Sequence, residues 1–151
     1  MADHLDRLFQ EWSQLGGAVL LARVDGTVST RPAEEVIGHS TAHCRQSGRL
    51  TWITLDWLVR HVEEIDDQKL LQSTQEVGDL SVLGVLCDAA CQRRPHPKFR
   101  RLMDACTPHQ ELTPFFYRVA GSPLASRLTR ESALDLFRRW NYLCAELRYL
   151  E

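Results

Sequence analysis

Leu80-Ser81-Val82-Leu83-Gly84-Val85-Leu86-Cys87-Asp88-Ala89-Ala90-Cys91-Gln92 is apolar on nearly every side and bounded upstream by Gly78-Asp79. Read as a strand, only Leu80 to Leu86 fits; the run continues through Ala90, which favours a helix because helices exceed strand length and need no alternation. Asp79 stands where a side-chain oxygen accepts from the first free N–H groups of such a helix. A helix with almost no polar side is enclosed by its neighbours, so the domain must be built around this one. The exceptions, Ser81, Gly84 and Asp88, share one narrow strip. Small side chains there let a neighbouring helix approach, and Asp88 needs a partner if it is buried.

Working outward, the flanking stretches supply that enclosure. Upstream, a helix from Thr51, its cap, to Ile65 carries Trp52, Leu55, Leu58, Val59, Val62 and Ile65 on one face, flanked by Ile53 and Trp57. Asp66 or Asp67 then opens a helix through Leu70, Leu71, Thr74 and Val77 that Gly78 ends. Before them, Pro32 suits the first turn of a helix running to about Gln46, where Ser47-Gly48 breaks it. At the N-terminus, Leu5, Leu8, Phe9, Trp12 and Leu15 recur at helical spacing, with Gly16-Gly17 as the stop. Asp25-Gly26 between β-branched residues predicts a small hairpin over 18–30; the alternative is a short helix from Ala18 to Val24 and a plain loop.

Downstream, Pro95 and Pro97 mark a loop, and a short helix covers about Lys98 to Cys106. Pro108 and Pro114 bracket an irregular stretch, and Gly121-Ser122-Pro123 turns the chain. A long terminal helix is expected from Thr129 to about Leu147, with Ala133, Phe137, Trp140, Leu143, Cys144 and Leu147 inward and Arg130, Arg138, Arg139 and Glu146 largely outward. The fold expected is therefore mainly α: one domain over 1–151, a multi-helix bundle or orthogonal array with at most one small hairpin.

Composition agrees. A chain of 151 residues, 44% hydrophobic and 25% charged, can bury a real core without cross-links. A net charge of -2 removes the general case for nucleic-acid or membrane-surface binding, so any such contact is local. Among 18 basic residues only Lys69 and Lys98 are lysines, a skew expected of a GC-rich genome rather than of a binding task. The five cysteines, Cys44, Cys87, Cys91, Cys106 and Cys144, are an odd set placed partly in apolar runs, which suits a reducing compartment. With acidic residues early, no signal-peptide h-region and no membrane-spanning stretch, the chain is expected to be cytoplasmic.

Several groupings bear on chemistry. His39, His43 and Cys44 on one expected helix, with Cys87 and Cys91 on another, form a permissible metal set, since residues four apart share a helix face. Neither Cys-x-x-Cys nor His-Glu-x-x-His occurs, and buried structural thiols with a surface histidine pair are favoured, so no metal or cofactor is expected. The segment Arg93-Arg94-Pro95-His96-Pro97-Lys98-Phe99-Arg100-Arg101 concentrates positive charge and suits phosphates or an acidic partner, although cations also belong at a helix C-terminus. Glu63-Glu64-Ile65-Asp66-Asp67 is an opposite patch, and together the two suggest an electrically two-sided molecule. Pro114-Phe115-Phe116-Tyr117-Arg118-Val119 either seals the core or presents an aromatic strip to a partner.

Catalytic signatures are lacking: there is no Gly-x-x-x-x-Gly-Lys loop, no Gly-x-Gly-x-x-Gly and no Gly-x-Ser-x-Gly elbow. His43 and Cys44 are adjacent, so on a helix they point roughly 100° apart and do not form a nucleophile–base pair. The helices that follow Ser47-Gly48 and Gly78-Asp79 are too apolar to lie in a DNA groove. The expectation is a non-enzymatic helical module that binds another protein, or a second copy of itself, as an antitoxin-like regulatory or neutralising member of a two-component system. Its candidate partner-binding residues are Arg93, Arg94, His96, Lys98, Arg100, Arg101, Phe115, Phe116, Tyr117 and Arg118, joined by the outward arginines of the last helix. The alternatives are a nucleic-acid-associated regulator using the same arginines on phosphates and, third, a metal-dependent helical enzyme.

Overall fold

Asp79 caps its helix as the sequence leads one to expect: its carboxylate accepts from the N–H groups of Ser81 and Val82 at the start of α5 (Leu80–Arg93). Every residue from Ser81 to Ala90 is buried. A computed structural model describes residues 2–15, 31–115 and 135–143. In these, α5 touches α2 (Ala33–Thr41), α3 (Gly48–His61), α4 (Asp67–Val77), α6 (Pro97–Ala105) and α7 (Asp135–Arg139). The architecture is a mainly helical bundle with α5 at its centre. The hairpin expected over 18–30 lies outside the described residues.

Around α5 the other helices meet through their apolar faces. Leu50, Ile53, Leu55, Trp57 and Leu58 of α3 join Val82, Leu83, Val85 and Leu86 of α5 in one core with Phe99 and Leu102 of α6. The N-terminal helix α1 (Ala2–Gln14) buries Leu8 and Trp12, and the Trp12 indole donates to Ser40 Oγ of α2 at 3.0 Å. Gly38 lets α2 and α4 cross closely, because a Cβ there would run into Ser73. Among the described residues no helix is long and apolar enough to cross a membrane.

Three helix ends depart from expectation. The helix expected from Pro32 to Gln46 stops at Thr41, and a separate 3-10 turn follows at Cys44–Gln46. Hydroxyl bonds explain the stop: Ser40 Oγ donates to the Val36 carbonyl and Thr41 Oγ1 to that of Gly38, in competition with the helical ladder. Thr41 Oγ1 also accepts from the Asp79 N–H at 2.9 Å, tying the end of α2 to the start of α5. Ser47, not Thr51, caps α3 by accepting from Leu50 N, while Thr51 Oγ1 donates back to the Cys44 and Ser47 carbonyls. α3 ends at His61, and Val62–Glu64 form a 3-10 turn before Asp66 caps α4.

The largest departure is at the C-terminal end of the described residues. The long helix expected through Leu147 breaks after Arg139: Trp140 and Asn141 turn, Asn141 adopts φ 62, and Tyr142–Leu143 (β2) pairs in parallel with Thr113–Pro114 (β1). Long-range bonds hold this turn. His109 N donates to the Trp140 carbonyl, Thr113 N to that of Asn141, and the Asn141 amide to the His109 carbonyl. Asparagine tolerates the left-handed region better than most residues.

Candidate protein-interaction site

The strip of small residues on α5 is occupied by the segment around α7. The Trp140 ring lies over Gly84, where any Cβ would collide with it. Asp88 accepts from Arg139 Nε at 2.9 Å and Nη2 at 2.8 Å, and from the Trp140 indole at 3.0 Å. Ser81 Oγ donates to Asp79 Oδ1, which leaves the Tyr142 hydroxyl to donate to Ser81. The buried carboxylate that needed a partner thus has three donors. The approaching element is a helix end and turn: the helix stops after Arg139 instead of running on, and the rest of the expected 129–147 helix lies outside the described residues.

Helical geometry divides the basic segment in two. On α6, Phe99 and Leu102 face the core. Lys98 and Arg101, three residues apart, turn to the acidic stretch between α3 and α4. Lys98 Nζ donates to the Ile65 carbonyl at 2.6 Å, and Arg101 Nε to Asp67 at 3.0 Å. Arg94 joins them, donating to Glu63 at 2.7 Å and to the Val59 carbonyl at 2.9 Å. Arg101, by its hydrogen bond, holds the Asp67 carboxyl below its usual range. The two charge runs therefore close on each other, and the molecule does not carry them as opposite poles. His96 caps α6, its Nδ1 accepting from Lys98 N.

Arg100 and Met103 face the other way, into an open groove of about 560 Å³. Arg100 and Arg139 both line it, with Cys91, Pro95 and Met103 supplying apolar surface; Asp88, Gln92 and Asp104 complete it. Among the described residues Arg100 makes no hydrogen bond or ion pair. Arg93 is exposed at the C-terminal end of α5, and Arg138 is exposed on α7. Two other clefts differ in kind. One of about 650 Å³ lies where α4 meets α5, but its Asp79 and Ser81 are engaged in capping and in the Tyr142 bond. One of about 430 Å³ between α2 and α4 mixes Glu34, Glu35 and Glu76 with Arg31 and Lys69.

Compared with protein-family models, curated proteins and solved structures, the chain matches none.

The remaining candidates are placed as follows. Phe115 is fully buried, edge-on to both Phe137 and Tyr142, so it seals the core; Phe116, Tyr117 and Arg118 lie outside the described residues. His39 and His43 remain neighbours, with ring centroids 6.0 Å apart, but they no longer share a helix, and His39 Nδ1 accepts from Arg31. That guanidinium is itself held by the buried Glu11. Cys44 and Cys87 lie in the hydrophobic core. Burial pushes the Cys44 thiol up to about 12 and the Cys87 thiol well above its ordinary value, so both remain protonated packing groups. Among the described residues no three His, Cys, Asp or Glu side chains are arranged to hold a metal ion.

Arg139 is one of the outward arginines that sequence reasoning named as a candidate surface, whereas Met103 was missed as groove lining. The signal for the place of Arg139 was Asp88, whose need for a partner implied a nearby cation.

Proposed function

We propose that the chain is a helical protein-interaction module that works by docking on another protein, as the regulatory or neutralising member of a pair. The observation that carries this reading is the groove between α5, α6 and α7, where Arg100 and Arg139 lie beside the apolar lining of Cys91, Pro95 and Met103. Arginine beside apolar surface is the chemistry of interface hot spots. The arrangement is also rigid, since Asp88 fixes the guanidinium plane of Arg139. Cys44 and Cys87 are committed to the core and His96 to a helix cap. A cytoplasmic setting belongs to the same reading, supported by the unpaired state of Cys44, Cys87, Cys91 and Cys106.

The test is isolation of the tagged full chain from its source cells, followed by mass spectrometry and absorbance measurement as salt is raised. One stoichiometric protein that stays bound supports the proposal. A preparation with no protein partner, or with nucleic acid that salt displaces, overturns it, because phosphate contacts weaken steeply with ionic strength.

A further inference from the structure

We draw no further inference here: the strongest candidate, the polar cleft where α4 meets α5, is lined among the described residues by two carboxylates, Asp79 and Glu111, and by no lysine or arginine, and nothing in the structure beyond that acidic pair shows what would occupy it.

Discussion

Two arginine–carboxylate pairs of nearly the same length close this molecule on opposite sides of α6. Arg139 meets Asp88 at 2.8 Å, and Arg94 meets Glu63 at 2.7 Å. Each joins distant parts of the chain, 51 and 31 residues apart. Their surroundings differ. The Asp88 side chain is 11% exposed and shares its oxygens with a buried indole, whereas Glu63 is 71% exposed. Solvent screens the second pair and lets its charges rehydrate; the first leaves a buried donor without a partner if broken. Bond length thus says little about weight, and burial says most.

The difference is easiest to break at Asp88. Asp88→Ala removes the acceptor of the Trp140 indole and should cost about 3 kcal/mol in urea unfolding, while Asp88→Asn, which can still accept from the indole, costs less. A neutral Asp88→Ala would show that burial does not set the weight of the pair. Gly84→Ala tests the same joint sterically: its Cβ displaces the Trp140 ring, with an expected loss of about 1–2 kcal/mol and a red shift in tryptophan emission.

On the exposed side the effects are smaller. Asp67 has its pKa depressed by Arg101, so its contribution is fully present above its ordinary value of 3.8 and is lost as pH falls through its lower folded value. Carboxyl carbon shifts followed by NMR should place its midpoint below 3.8, and Arg101→Gln should return it toward that value. Glu63→Gln is expected to change unfolding by less than about 0.5 kcal/mol, and a larger change would mean the exposed latch carries more than its surroundings imply.

Much of α5 was legible because its determinants are local. Asp79 is the cap, the apolar run has no polar face, and the strip of Ser81, Gly84 and Asp88 indicated where something would pack. What packs there was misread for an equally physical reason. Phe137 and Trp140 fit a helical face, and both are buried, so periodicity gave no sign that the helix ends between them. The end is fixed by bonds from His109 and Thr113, about thirty residues earlier, which no local pattern encodes. The groove was half legible. Both charge runs were visible, but whether they repel, ignore or engage each other depends on where α6 lands against the α3–α4 turn. That placement decided which arginines are latched and left Arg100 facing the groove.

The enclosure of α5 makes the described helices around it interdependent. Since α5 contacts helices from before and after it in the chain, a truncation that removed α2 and α3 or α6 and α7 would uncover one of its apolar sides. Its amides should accordingly exchange with solvent only when the whole domain opens, which makes them the natural gauge of global stability. Removing either set of helices would then yield an aggregating chain rather than a smaller fold.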